Sequence, residues 1–260
     1  VALVTGTSRG VGQGIAAALA AAGWRVYGTS RRGEAPDGVT ALSCDHRDDD
    51  AVAMVFEEIA ADAGRLDLLV NNAWASPRGF AGFTEKFFER PLSDWDSLIG
   101  VGLRAHYVTS VHAAQLMTAR GSGLIASISS FGTRGHLHSV LYGMSKAALD
   151  KMAFDMAHEL RGTGVHAVSL WPGLVRTDLL LGSGLTEFAG FPISEAEDPG
   201  FIGRVIARLA ADPELPQLSG HTLVTAELGA GYGLTNDDGT APASHRAAFG
   251  GGPLFPPVPD

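Results

Sequence analysis

Three side chains in the stretch Ser129 to Lys146, SSFGTRGHLHSVLYGMSK, are of the types that handle protons at an oxygen. A helix starting near Val140 carries Tyr142 and Lys146 four positions apart, so phenol and ammonium lie one above the other on one face. A free tyrosine titrates near ~10 and is a poor acid–base catalyst at neutral pH; an adjacent cation stabilises its phenolate. Reaching about 7 takes roughly 4 kcal/mol of differential stabilisation, more than one solvated lysine supplies. A second positive charge is therefore expected beside the pair. Ser129 lies thirteen residues before Tyr142, directly after the apolar run Leu124 to Ile128, which reads as a buried strand. A hydroxyl at the C-terminal end of such a strand is expected to meet Tyr142 across the cleft where open α/β sheets bind ligands. Alone, a Tyr-x-x-x-Lys pair also arises by chance, and the rest of the chain gives it weight.

The chain opens with Val1 to Val4, a short apolar run, then Thr5-Gly6-Thr-Ser-Arg-Gly10-Val-Gly12-Gln-Gly14 and an alanine-rich segment, Ile15 to Ala22. This is strand, glycine turn, helix. The glycines permit positive φ and close backbone approach, and the helix N-terminus offers free N–H groups to a pyrophosphate. An oxidised nicotinamide would also supply the missing positive charge. A second strand, Trp24 to Thr29, ends in Ser30-Arg31-Arg32 with no acid to hold a ribose 2′-OH. Ser30, Arg31 and Arg9 favour the 2′-phosphate of NADP(H), with NAD(H) the alternative and a merely solvated arginine loop the bland reading. Only Arg31 to Gly38 leads to the third strand, Val39 to Ser43, too short for a crossover with its own helix. Asp45 is placed either to touch the adenine or to cap the next helix, Asp48 to Ala63.

Further strands are expected at Leu66 to Val70, Leu124 to Ser129, Val165 to Trp171 and Thr222 to Ala226. Asn71-Asn72-Ala73-Trp74 closes the first of these. Amides there either pin the backbone beside a cofactor or make a simple turn. Residues 75 to 91 carry Phe80, Phe83, Phe87 and Phe88 on a Pro- and Gly-bearing loop, which reads as a substrate wall or lid, or as a satellite core cluster. Ser93 is expected to cap a long helix to about Ala119, and the Tyr142 helix to run to about Arg161. Residues 179 to 197 show no period and read as a substrate cap. Pro199 to Ala211 reads as an amphipathic helix, and the extension 227 to 260 as a surface-packed or partly disordered tail. The whole of 1 to 260 is expected to form one domain.

Composition narrows the classes. A net charge of −9 argues against nucleic acid and against an anionic membrane surface as partners. The single cysteine, Cys44, permits no internal disulfide and fits a reducing, cytoplasmic setting. No apolar run approaches the eighteen residues of a membrane span, and Val-Ala-Leu-Val at the start does not read as a signal peptide. A few residues are expected to precede Val1. His136 and His138 read as lining the substrate mouth; no third ligand stands near them, so no metal is expected.

TGTSRGVG at 5 to 12, NNA at 71 to 73, Ser129 before Tyr142, YGMSK at 142 to 146 and PGLVRT at 172 to 177 together resemble the short-chain dehydrogenase/reductase superfamily. The resemblance runs from Val1 to about Ala226. It implies an α/β, three-layer Rossmann-type doubly wound fold with a mostly parallel seven-stranded sheet. It also implies roles: Tyr142 as general acid/base, Lys146 on the nicotinamide ribose and lowering the tyrosine pKa, Ser129 on the substrate oxygen, Thr177 on the carboxamide. Cofactor contacts are implied at Gly6, Ser8, Arg9, Gly10, Val11, Gly12, Ser30, Arg31, Asp45, Asn72, Ala73, Tyr142, Lys146, Pro172, Gly173, Val175 and Thr177. Trp74 after the asparagines, VGLRAHY at 101 to 107, SLWPG at 169 to 173, LSG at 218 to 220 and YGLTNDDG at 232 to 239 look like the subgroup containing dehydrogenase/reductase family member 1.

Two positions depart from the superfamily pattern. Trp74 stands where glycine is usual, so a bulky ring is expected beside the catalytic serine. Gly102 stands where an asparagine usually kinks the long helix and presents a carbonyl to a relay water; glycine tolerates a kink and keeps its carbonyl. His106, one turn on, reads either as a relay group or as a packed histidine. The expected function is NADPH-dependent reduction of a lipophilic ketone or aldehyde by a homodimer or homotetramer. The rivals are a 3-oxoacyl thioester reductase, whose carrier partner would want a basic patch, and a nucleotide-binding regulatory module without turnover.

Overall fold

The computed structural model describes residues 1–75 and 85–250. Its first half is laid down as β1 (Ala2–Thr5), α1 (Gly10–Ala21), β2 (Val26–Ser30), β3 (Val39–Ser43), α2 (Asp49–Ala63) and β4 (Leu68–Asn71). A π-wound segment, Asp96–Arg104, runs straight into α3 (Ala105–Thr118). There follow β5 (Gly123–Ile128), α4 (Val140–Glu159), β6 (Val165–Trp171), α5 (Asp178–Leu181), β7 (Glu187–Phe188) and β8 (Phe191–Pro192). The chain then adds α6 (Pro199–Leu209), α7 (Leu215–Leu218), β9 (Thr222–Val224) and α8 (Thr225–Gly231).

Seven strands form one sheet in the order β3-β2-β1-β4-β5-β6-β9, and every pairing in it is parallel. The period of two along each strand sorts its side chains between two cores. Val4, Val70, Ala126 and Leu170 face α1 and α6, while Leu3, Leu69 and Ile125 face α2 and α3. The inner strands β1, β4, β5 and β6 are buried on both faces and read as largely apolar runs, which is why their positions were legible. The chain leaves β1 in one direction for β2 and β3, then returns to its other side for β4. That reversal opens a crevice at the C-terminal ends of β1 and β4, where ligands of this fold class bind.

No helix joins β2 to β3, as the short spacing predicts. The long helix differs from expectation in its first turns, which are π-wound over Asp96–Arg104. Gly100 and Gly102 weaken α propensity there, and π turns are a recognised local distortion of helices. The cap region is more ordered than its aperiodic sequence implies. Phe188 and Phe191 pair across a two-residue turn in which Ala189 (φ 53°) and Gly190 (φ 84°) are both left-handed, the conformation that matches strand twist in a hairpin. Residues 227 to 250 of the C-terminal extension are also packed onto the domain. Beyond α8 it crosses back over the sheet's C-terminal edge, and Phe249 stacks on Phe131 with ring centroids 5.1 Å apart. Residues 76 to 84, including Phe80 and Phe83 of the expected aromatic wall, lie outside the described residues, as do 251 to 260. Among the described residues no helix is long and apolar enough to cross a membrane.

Candidate active site

The crevice begins at the glycine turn. Gly6 (φ 77°) and Gly10 (φ 60°) take left-handed backbone, and a Cβ on Gly12 would lie 2.2 Å from the Gly6 carbonyl oxygen. Only glycine fits there. α1 starts at Gly10 with an extended Arg9 as N-cap and no side-chain cap, and Ser8 and Arg9 are exposed. Its first N–H groups therefore face the crevice uncapped, the arrangement that suits a pyrophosphate. β4 closes the floor. Asn72 donates from Nδ2 to the carbonyls of Thr5 (2.9 Å) and Gly6 (3.2 Å), and the Thr5 hydroxyl accepts from the N–H groups of Asn72 and Ala73, both at 2.9 Å. Asn71 instead ties β4 to α3 through Ser110 (2.8 Å) and Thr109 (2.6 Å).

At the adenine end, Arg31 is exposed, whereas Ser30 is buried and its hydroxyl accepts from the Glu34 N–H at 2.6 Å. Asp45 is gripped by Arg47 through Nε at 3.0 and 3.2 Å, which with its other contacts holds the carboxyl down at about 2. It does not cap α2. That role belongs to Asp48, which accepts from Asp50 N–H (3.0 Å) and Ala51 N–H (3.2 Å).

The two serines after β5 divide their work in a way the count of thirteen does not reveal. Ser129 still belongs to the sheet: its N–H donates to the Leu170 carbonyl at 2.8 Å. It shares the odd-numbered face with Ile125, so its buried hydroxyl turns toward α4, donating to the Lys146 carbonyl at 3.1 Å and reaching Asp150. The expected pairing of Ser129 with Tyr142 is thus not formed. Ser130, next in the alternation, hydrogen-bonds the Tyr142 hydroxyl and also accepts from Gly132 N–H at 3.0 Å.

α4 is capped by Ser139, which accepts from Tyr142 N–H at 3.2 Å and fixes where the helix begins. Lys146 then follows Tyr142 by one turn, its Nζ 5.7 Å from the phenol ring centroid and donating to the Ile128 carbonyl at 2.8 Å. Burial dominates both groups. It pushes the Tyr142 hydroxyl up to about 12, against the pull of Ser130, and brings the Lys146 ammonium down to about 8, against the support of Asp150. Asp150 is fully buried one turn further along. It accepts from Ser169 and from Trp171 Nε1 at 3.0 and 3.2 Å, with the Ser129 hydroxyl also within its reach, and burial raises it to about 6.

The ring of Trp74 meets Tyr142 edge-on, centroids 5.8 Å apart, and its Cδ1 lies 3.0 Å from where a Gly102 Cβ would stand. The two departures from the family pattern therefore fit each other: the indole occupies space that a side chain at 102 would need. His138, held at φ 63°, also packs edge-on to Tyr142 (4.6 Å) and contacts Phe188 of the hairpin (6.0 Å). Burial, then Lys146 and His136, lower it to about 4, so it is neutral at working pH. His136 is exposed and does not join the cluster. His106 is fully buried, donates from Nε2 to the Ala73 carbonyl at 2.8 Å, and is lowered to about 3 chiefly by burial. It is a packed, neutral histidine.

After β6, Pro172, Gly173 and Val175 form a loop beside the glycine turn. Thr177 ends it, with Cγ2 3.6 Å from the Gly10 Cβ position and its hydroxyl accepting from Leu180 N–H at 3.4 Å. Three residues escaped the sequence reading. Ser130 was hidden by the spacing count, though strand parity could have found it. Asp150 was visible as a helical neighbour of Lys146. Glu197, buried against the Gly173 loop, left no local signal.

Comparison with known proteins agrees with this geometry. A family model described as short chain dehydrogenase matches residues 1–184. The chain is 41% identical over 261 residues to dehydrogenase/reductase SDR family member 1 of Mus musculus, covering 92% of this chain and 83% of that one. It is 29% identical over 238 residues to the 3-oxoacyl-[acyl-carrier-protein] reductase FabG of Escherichia coli (strain K12), covering 86% and 94%. Among solved structures, a Tyr-to-Phe variant of ElxO with NADPH bound has a TM-score of 0.74 at 24% identity, covering 86% of this chain and 96% of that one; this likeness speaks to fold alone.

Proposed function

The chain belongs to the short-chain dehydrogenase family of oxidoreductases, which bind NAD(P)(H), and on that premise we propose that it is an NADPH-dependent reductase of lipophilic ketones and aldehydes. The observation that carries the proposal is the Ser130–Tyr142–Lys146 cluster beneath the rings of Trp74 and His138. A bound NADPH supplies the hydride. The uncapped start of α1 and the glycine turn would hold its pyrophosphate, and Arg31 its 2′-phosphate. Ser130 orients the carbonyl oxygen and donates to the charge that builds on it. Tyr142 gives that oxygen its proton, a step worth ~10²–10⁴ in rate. Lys146 keeps a positive charge one turn away, and the phenolate left when Tyr142 gives up its proton would be stabilised by that charge together with the charge a bound nicotinamide would gain on losing its hydride.

The aromatic walls favour an apolar substrate. A cytoplasmic homodimer or homotetramer is part of the same reading, with exposed Tyr107, Val140 and Met144 on α3 and α4 as candidate contacts. The likeness to FabG keeps a 3-oxoacyl thioester reductase as second reading, against which the net charge of −9 counts for an acidic carrier. The test is NADPH oxidation with a generic diketone, a quinone and a 3-oxoacyl thioester by wild type and Tyr142→Phe. A wild-type rate on the diketone or quinone that falls at least a hundredfold in the variant supports the proposal. Equal, negligible rates with tight NADPH binding would make the chain a non-catalytic module.

A further inference from the structure

Glu197 is 1% exposed and far in sequence from every motif, yet it joins three segments at the nicotinamide loop. Its Oε1 accepts from the Gly173 N–H at 2.8 Å, and the Thr225 hydroxyl lies 2.7 Å from both carboxyl oxygens. The backbone repeats the grip: Glu197 N–H donates to the Leu174 carbonyl and Arg176 N–H donates to the Glu197 carbonyl, both at 2.8 Å. The Thr225 hydroxyl also lies 3.2 Å from the Trp171 carbonyl. A hydroxyl has one proton to give, so it serves either Glu197 or Trp171.

We propose that Glu197 is a positioning residue for the nicotinamide end of the cofactor, whose protonation state sets the hydrogen bonding of the two backbone groups flanking Pro172. This rests on the reading that residues 172 to 177 hold that end. When Glu197 is ionised, both Gly173 N–H and Thr225 O–H donate to it, and the Trp171 carbonyl loses the hydroxyl. When it is protonated, its O–H donates to Thr225, whose own proton turns to Trp171, and Gly173 N–H keeps only a neutral acceptor. Charge-assisted bonds are the stronger, so the ionised form holds Gly173 more firmly. Burial raises this carboxyl to about 7, which puts the exchange within the working range.

The surrounding charges leave that exchange to Glu197 itself. Arg176 is occupied by Asp198 (3.1 Å) and Asp238 (2.9 Å). His245 of the C-terminal extension stands with Nε2 3.0 Å from the Gly173 Cβ position, its ring tilted against Phe191 at 4.0 Å, and burial lowers its pKa against the nearby Glu195. It covers the loop, and its burial favours the neutral ring.

The experiment measures NADPH and NADH affinity by nicotinamide fluorescence from pH 5.5 to 8.5 on wild type, Glu197→Gln and Thr225→Val, each checked for folding by circular dichroism. The 2′-phosphate titrates near ~6 but is common to all three proteins and absent from NADH, so it drops out of the comparison. Wild type is expected to bind both cofactors about fivefold more tightly above pH 8 than below pH 6, beyond the phosphate's share; Glu197→Gln should lose that dependence, and Thr225→Val, which takes a donor from the carboxylate, should shift it to higher pH. A wild-type NADH profile that is flat, or variant profiles that superimpose on the wild type, overturns the proposal. If Glu197→Gln does not fold, Thr225→Val decides, because a carboxylate that loses this donor must titrate at higher pH and carry the binding profile with it. No binding of either cofactor by wild type would instead sink the underlying cofactor reading.

Discussion

Replacing Ser130 and Ser129 by alanine, one at a time, separates a hydroxyl that faces the chemistry from one that holds the scaffold. Ser130 is the hydroxyl bonded to Tyr142, so Ser130→Ala removes a preorganised donor at the developing oxyanion, a loss of about 10²–10³ in kcat. Its other bond caps Gly132 N–H at 3.0 Å, a local contact whose loss costs no more than ~1 kcal/mol, or roughly 2–4 °C in Tm for a chain of this size. Ser129→Ala reverses the pattern. It leaves the buried Lys146 carbonyl without its hydroxyl donor and removes a polar neighbour of Asp150, costing about 1–3 kcal/mol and several degrees in Tm, while kcat falls less than about tenfold. Steady-state NADPH oxidation with a diketone gives the first quantity and thermal unfolding the second. If Ser129→Ala lost a hundredfold in kcat while Ser130→Ala stayed near wild type, the placement of the two serines would be wrong.

Gly102→Asn must push the Trp74 indole aside, at a cost of about 1–3 kcal/mol, and the loss should shrink in Gly102→Asn/Trp74→Gly; additive denaturant midpoints would show that the two positions do not interact. Arg31→Ala should weaken NADPH at least tenfold and leave NADH nearly unchanged by fluorescence titration; a parallel loss for both would remove the 2′-phosphate argument. Glu197 gives a pH signature in stability. Its carboxyl sits at about 7 when folded against 4.5 in the unfolded chain, so between those values the folded state keeps a proton the unfolded chain has released. That contribution is complete below pH 4.5 and is lost as pH rises through 7, a total of about 3 kcal/mol. Urea unfolding should show this decline in wild type and a flatter curve in Glu197→Gln; equal slopes would contradict a carboxyl raised by burial.

The order of strands and helices was legible because each element carries its own signal. β6 was read as Val165 to Trp171, its observed span, and α4 begins at Val140 as expected, since apolar runs, Ser139 at the cap and the glycine turn all act within a few residues of themselves. The β7–β8 hairpin was not legible, because Ala189 takes a left-handed turn that its residue type does not announce. The partner of the C-terminal extension was not legible for a similar reason. Phe249 finds Phe131 more than a hundred residues away, and nothing in either neighbourhood specifies that contact.

By itself the sequence determined the alternation of strands and helices, the glycine cradle and the pairing of Tyr142 with Lys146, all consequences of short-range signals, while the fold class came from the family its motifs resemble. Only the tertiary structure decided which serine meets the tyrosine, since a strand sends alternate side chains to opposite faces and a one-residue difference in count reverses the answer. It alone matched Trp74 to Gly102 and carried Glu197 to Gly173. These pairings depend on space and on the desolvation of a carboxyl, and both are properties of the packed chain, set by residues that are distant along it.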